Sequence, residues 1–181
     1  MRAFQLIIGF AALFATAAFA QSQSQSQSAG TSALKGHDSN APVDVSGDRM
    51  DVQDKADRAL VVGNVHVRQG DLTLDTERLT VAYSKVKGIA IERLDAAGGV
   101  TVKSPTETAT GAFGIYDLQR KLITLVGGVQ LVRDQSRISG SRLVIDLTSG
   151  RAVVDGGAPG VGGSGGRVTG HFTVPQRGTK G

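Results

Sequence analysis

The sequence predicts an all-β protein, and three observations carry that prediction. The apolar residues of its central stretch recur with period two, in short runs bounded by Gly, Asp, Asn and Ser. Two short phrases return along the chain in step with one another. No segment of the central stretch shows an apolar stripe at the helical period.

The elements follow in order. Met1-Arg2 and the apolar run after it, ending in Ala18-Phe19-Ala20, have the form of a signal peptide over residues 1–20, with cleavage after Ala20 and export. The apolar run is short for a membrane-spanning helix. Residues 21–42 (QSQSQSQSAGTSALKGHDSNAP) are polar and low in complexity, so a disordered spacer is expected there. The predicted β-domain covers residues 43–155. Within it Val65 and Val67 alternate with His66 and Arg68, and Leu72 and Leu74 alternate with Thr73 and Asp75. Leu79, Val81 and Tyr83 continue the pattern, as do Val100/Val102, Phe113/Ile115, Val129/Leu131 and Leu143/Ile145. Residues 156–166 (GGAPGVGGSGG) read as a flexible linker. Residues 167–181 read as a tail in which RVTGHFTV alternates like one more, detached strand.

The first recurring phrase is Gly-x-Val, at Gly63, Gly98 and Gly127, spaced 35 and 29 residues apart. The second begins at Gly47 (GDRMDV), Thr76 (TERLTV), Gly111 (GAFGIY) and Gly140 (GSRLVI), spaced 29, 35 and 29. Matched spacings of this length predict stacked strand units, each burying its apolar face against its neighbours. The glycines are expected where the chain needs positive φ or a tight bend between strands. The inward candidates are Val, Leu and Ile. Two sheets closed on them make a core; two sheets splayed apart make an apolar trough. Periodicity alone is compatible with both.

Composition excludes several classes. The chain has 181 residues, no cysteine and a formal net charge of +4, so disulfides, thiolate metal sites and cysteine nucleophiles are absent. Charges of both signs are mixed and aromatics make up 4%, which argues against a nucleic-acid surface. The three histidines, His37, His66 and His171, lack zinc spacing, with His37 and His171 placed in tails and His66 on a solvated strand face. Residues 160–166 spell both G-x-G-x-x-G and G-x-S-x-G, but without the strand-turn-helix setting that gives either motif meaning. Ser32-x-x-Lys35 lies in the spacer. No enzyme, cofactor or metal is expected.

The stretches ALVVGNVHVRQGDLTLDTERLTVAY, IERLDAAGGVTV and GAFGIYDLQRKLITLVGGVQLVRDQSRISGSRLVIDLTSGRAVV resemble the LptA/OstA-like family. The resemblance covers residues 43–155 as many weak positions. It is sharpest at Gly63-Asn64-Val65-His66-Val67, at Gly114-Ile115-Tyr116-Asp117 and at Asp146-Leu147-x-x-Gly150. It implies a twisted β-jellyroll of two antiparallel sheets, slightly open around an apolar interior groove. It implies a periplasmic lipopolysaccharide-binding protein that carries its cargo from inner to outer membrane, the lipid A acyl chains lying between the sheets.

Groove candidates on this reading are Val65, Val67, Leu72, Leu74, Leu79, Val81, Val100, Val102, Ile115, Leu125, Val129, Leu131, Ile138, Leu143 and Ile145. Arg68, Lys103 and Arg133 are the rim candidates for phosphate. Implied partners are lipopolysaccharide, an LptC-like inner-membrane-anchored protein, an LptD-like outer-membrane protein and further copies stacked end to end. Two alternatives stand beside it: an LptC-like component, which a mature N-terminus at Gln21 disfavours, and a purely structural exported β-repeat protein. The segment PTETATGAFG is poor in large apolar side chains and marks either an edge or a widened groove.

Overall fold

The computed structural model describes residues 37–86, 88–157 and 166–173. Its regular elements are ten strands and a one-turn 3-10 helix, Asp54–Ala56. The strands are β1 (Val43–Ser46), β2 (Arg49–Gln53), β3 (Arg58–Gln69), β4 (Leu72–Ser84), β5 (Ala90–Lys103), β6 (Glu107–Asp117), β7 (Leu122–Arg133), β8 (Ser136–Asp146), β9 (Arg151–Asp155) and β10 (Thr169–His171). All are joined in one antiparallel network of order β1-β3-β4-β5-β6-β7-β8-β10, with β2 also on β3 and β9 also on β8. The predicted signal peptide, most of the predicted spacer and most of the predicted glycine-rich linker lie outside the described residues.

The two phrases turn out to be the two sides of one structural device. Between Val62 and Val65, β3 carries one residue more than β4 does between Arg78 and Thr76. The same irregularity recurs on β5 between Ala97 and Val100 and on β7 between Val126 and Val129. At each bulge two successive residues have positive φ: Gly63 and Asn64, Gly98 and Gly99, Gly127 and Gly128. Such a bulge bends the strand and deepens its twist. The glycines are therefore needed for positive φ, as expected, but in the middle of strands. The turns between strands use other left-handed residues: Gly70, Lys121, Asp134 and Gly150.

The second phrase lies directly across from the first. Asp48 N donates to Gly63 O at 2.9 Å, and Thr76 Oγ1 donates to Ala97 O at 2.9 Å. Ser141 Oγ donates to Gly156 O at 2.6 Å. The series keep step because each bulge needs a facing strand that crosses the bend. β1 and β2 are the halves of one such crossing strand, since β1 pairs with residues 66–69 of β3 and β2 with residues 58–62.

The opposite edge is built the same way. β9 pairs with residues 142–146 of β8 and β10 with residues 137–139. Gly166-Arg167-Val168 repeats the Gly-x-Val phrase immediately before β10, and Gly166 has φ +76. Thr169 pairs with Ser139 as Gln130 does from the other side. The pair β9 and β10 is thus a fourth bulged strand, interrupted at its bulge by an insertion between Gly156 and Gly166. The tail strand is not detached; it completes the sheet.

Bent along the line of bulges, the sheet folds over its own apolar face. One layer holds β1, the second halves of β3, β5 and β7, the first halves of β4, β6 and β8, and β10. The other layer holds β2, the remaining halves and β9. The two sheets of the expected jellyroll therefore share their long strands. The buried apolar residues of both layers form one cluster, in which Leu79, Leu125, Leu143 and Ile145 are inaccessible to solvent. Among the described residues no helix covers that face, and it is buried against itself.

Candidate functional site

The interior consists of rows of side chains running across the strands from one sheet edge to the other. In the first layer the register gives Val45, Val67, Leu74, Val102, Ala109, Leu131, Ile138 and Gly170. In the second it gives Met50, Val61, Leu79, Ala96, Gly114, Leu125, Leu143 and Val154. A parallel row runs Val52, Ala59, Val81, Leu94, Tyr116, Ile123, Ile145 and Ala152. The interior is apolar along the hydrogen-bonding direction, and each added strand lengthens it by about 4.8 Å.

The predicted candidates divide clearly. Val65, Val100 and Val129 are buried at the bend, beside the bulges, and Leu72 is buried at the far end of the first layer. Val67, Leu74, Leu79, Val81, Val102, Leu125, Leu131, Leu143 and Ile145 are buried within the rows, and Ile138 is half-buried in its row. Ile115 is the exception. It is 44% exposed on the outer face, while its neighbours Gly114 and Tyr116 point inward. Register decides this: Gly114 lies opposite Leu125, and an added Cβ there would meet Leu125 Cδ2 at 3.0 Å and Val100 Cγ1 at 3.1 Å. A large side chain has no room at 114, so Phe113 and Ile115 take the outside. The segment poor in large residues is neither an edge nor a gap, because β6 is central and its small residues accommodate the larger ones beside them.

Among the described residues, both sheet edges leave part of the interior face open. At the first edge Met50 and Val52 occupy inward-facing row positions yet are 51% and 60% exposed. At the second edge a pocket of about 200 Å³ opens between the layers, walled by Leu131, Ile138, Ala152, Val154 and Phe172 with Glu107, Arg133 and Ser136 at its side.

The open end between the layers, away from the bend, is closed by a polar plug. His37, predicted in a disordered spacer, is buried, and its segment packs against β3. Gln69 Nε2 donates to the carbonyls of Ser39 and Ala41 at 3.0 and 3.1 Å, which fixes the orientation of its amide. Gln69 Oε1 then accepts from Tyr116 Oη at 2.7 Å and from His37 Nε2 at 3.2 Å. His37 Nδ1 lies 2.9 Å from Asp71 Oδ1, so each ring nitrogen has a polar partner. Burial pushes the Tyr116 phenol up, opposed by hydrogen bonds with Ser39 and Gln69. Tyr116→Phe is expected to cost about 1 kcal/mol of stability in a urea titration, the net worth of one buried neutral hydrogen bond.

The rim candidates are dispersed. Arg68 is exposed on the outer face of the first layer, its Nε donating to Gly70 O at 3.2 Å. Lys103 is also outside and contacts Asp75 at 3.2 Å; His66 holds the same carboxylate at 2.7 Å. His66, then Lys103, keep the Asp75 carboxyl below the ordinary carboxylate range against a partial burial effect. Arg133 alone reaches the mouth pocket, where its Nε donates to Glu107 Oε1 at 2.6 Å and its terminal nitrogen contacts the same oxygen. Among the described residues no group of three His, Cys, Asp or Glu side chains could hold a metal. The Asp146-Leu147-x-x-Gly150 motif is a turn. Asp146 Oδ1 accepts from the Thr148 and Ser149 amides at 2.8 and 3.1 Å, and Ser149 chiefly holds that carboxyl low.

Comparison with known proteins agrees with this architecture. Residues 44–151 match the family described as LptA/(LptD N-terminal domain) LPS transport protein. An uncharacterized protein of Rhizobium meliloti (strain 1021) is 32% identical over 154 residues, covering 80% of this chain and 79% of its own. The crystal structure of LptH, described as the LptA-homologous periplasmic component of the lipopolysaccharide transport device of Pseudomonas aeruginosa, superposes with a TM-score of 0.67. That match covers 76% of this chain and 99% of the other at 18% identity, a likeness of fold. No described helix is long and apolar enough to cross a membrane. The matched residues span most of the folded sheet, and on that ground the chain belongs to the LptA/(LptD N-terminal domain) family of LPS transport proteins.

Proposed function

We infer that the protein is one segment of a periplasmic bridge that carries lipopolysaccharide from the inner to the outer membrane, with acyl chains held between the two layers. The observation that carries this reading is the direction of the apolar rows. They run along the hydrogen-bonding axis from the exposed Met50 and Val52 at one edge to the pocket walled by Leu131, Ile138 and Val154 at the other. Each CH₂ of an acyl chain removed from water contributes about 0.8 kcal/mol. A multi-acyl lipid therefore needs a continuous apolar lining, and rows of similar aliphatics make successive positions nearly equal in energy. Acyl chains enter as the layers part on the side away from the bulge line, which requires the Tyr116–Gln69 hydrogen bond across that opening to break. The saccharide and its phosphates stay outside the layers. A partner supplies the energy.

Sheet edges bearing unpaired backbone groups template further strands. The β1/β2 edge and the β9/β10 edge are the two ends of the interior, so edge-to-edge pairing joins one interior to the next. An LptC-like protein anchored in the inner membrane, an LptD-like protein in the outer membrane and further copies of this chain are the partners that fit. Export through the residue 1–20 signal places the chain in the periplasm.

A photo-crosslinking amino acid at Leu131, at the mouth, is expected to capture lipopolysaccharide in cells, and the same group at Ile115, on the outer face, is expected to capture none. Equal capture at both positions, or none at Leu131, returns the interior to a closed core and the protein to a structural role.

A further inference from the structure

The fourth bulged strand differs from the other three in one respect. In β3, β5 and β7 the two halves are continuous through the bulge, so neither half leaves the sheet alone. In the fourth, residues 157–166 stand between β9 and the Arg167-Val168 that leads into β10. The inserted segment starts and ends at the same place, for the Gly156 position packs against the Gly166 carbonyl. The insertion uncouples the second half-strand from the first.

That half-strand is weakly held. β10 pairs with β8 over three residues, Thr169 with Ser139, Gly170 with Ile138 and His171 with Arg137, and all three of its residues are exposed. β9 pairs over five. Gly170 occupies the last position of the first interior row and supplies no side chain there. Phe172 folds back over it, so that a Cβ at 170 would meet the ring at 2.7 Å. The ring closes the mouth pocket against Leu131, Ile138, Ala152 and Val154 while itself remaining 64% exposed. Val168, at the position corresponding to the buried Val129, is 45% exposed.

We propose that β10 with Phe172 is a self-supplied, detachable half-strand: it occupies the β8 edge and stoppers the interior in the isolated protein, and an incoming strand of a second copy displaces it. The acceptor is the residue 137–139 stretch of β8 together with the apolar pocket beside it. The occupant it fits is an extended strand that offers an apolar side chain at the inward position. The β1 edge of another copy has that form, with Val43 and Val45 on its inward-facing, half-buried positions. Edge-to-edge addition therefore competes with an intramolecular strand, and a tethered competitor acts at an effective concentration in the millimolar range. Free protein stays unassembled and its interior stays shut until a neighbour is present in excess or held close by the membrane machinery.

This inference rests on the edge-to-edge reading above, and its test separates the two. Self-association of the purified protein is measured by sedimentation velocity over a concentration series. Gly170→Pro removes a backbone donor from β10, and Phe172→Ser removes the stopper; each is expected to tighten association about tenfold. Deleting residues 157–166 rebuilds an unbroken Gly156-Arg167-Val168 bulge with the spacing of the third repeat, and is expected to weaken association at least about tenfold. The double variant Ile138→Cys/Gly170→Cys provides a second lock in a chain that otherwise has no cysteine. It is expected to assemble when reduced and to remain monomeric when oxidised. Association that ignores both locks, or that weakens in Gly170→Pro and Phe172→Ser, overturns the detachable half-strand alone. Absence of self-association in every form overturns it together with the edge-to-edge reading.

Discussion

Gly98→Ala is expected to destabilise the protein by about 3 kcal/mol, and Gly99→Ala, one residue away, by only about 1–2 kcal/mol. Both residues have positive φ, +92 and +84. Both substitutions therefore incur the left-handed strain of an L-residue, about 1–2 kcal/mol. They differ in what the new methyl meets. At 98 it would lie 2.9 Å from Glu77 Cβ and 3.9 Å from Glu77 Cα, on the crossing strand of the same bulge. At 99 nothing lies within 4 Å. Relieving the contact at 98 requires moving β4 against β5, and overpacking of that kind adds about 1–3 kcal/mol. The third bulge repeats the contrast, with Ala112 Cβ 2.7 Å from a methyl at Gly127 and open space at Gly128. Urea titrations of the two pairs check this. Equal losses at 98 and 99 would mean that backbone strain alone sets the glycine requirement.

The same contrast shows what could be read from residue order and what could not. Alternation is a property of single strands, so Val65/Val67, Leu79/Val81 and Leu143/Ile145 announce their strands and which residues share a face. The matched spacing of the two phrases announced repeated units. Neither says where in a unit the glycines fall, because a positive φ between strands and a positive φ inside one demand the same residue. The extra residue of a bulge becomes visible only when the partner strand is laid beside it. Alternation alone assigns Ile115 to the interior for a related reason. In Phe113-Gly114-Ile115-Tyr116 the apolar residues and the inward residues have opposite parity, and the register with Leu125 and Ile123 decides between them. His37 was hidden by composition. A polar segment reads as unstructured unless one of its members finds a buried partner, and Gln69, its partner, is 32 residues away. A polar residue inside the apolar alternation, Gln69 in line with Val65 and Val67, was the signal available for that plug. The fourth bulged strand escaped because its insertion is made of the residues that mark linkers. The Gly-x-Val phrase at Gly166 stands at the end of a glycine tract where one more glycine carries no weight.

Arg133→Met is expected to cost about 3–5 kcal/mol, although Arg133 is partly exposed, and to do so through Glu107. The Glu107 side chain is 2% exposed beside the apolar wall of the mouth, and the Arg133 guanidinium holds its carboxylate through Nε at 2.6 Å and through its terminal nitrogen. Removing the cation leaves a buried carboxylate without that compensation, which is far costlier than losing the pair. Glu107→Leu combined with Arg133→Met removes both charges from a site lined by Leu131 and Ile138, and the double variant is expected to lie within about 1–2 kcal/mol of the parent. Chemical denaturation of the two single variants and the double variant measures the coupling directly. Additive single losses would show that the two side chains act separately. The cycle also bears on the lipid reading. Arg133 is the rim candidate that reaches the mouth, but its charge is matched there by Glu107, whereas Arg68 and Lys103 lie on the outer face. A phosphate at the mouth must therefore share Arg133 with Glu107, and a carboxylate left behind the guanidinium would repel it. On those grounds the pair acts mainly to hold the mouth in shape. The double variant should then keep lipid capture at Leu131, while the Arg133→Met single variant should lose it along with stability.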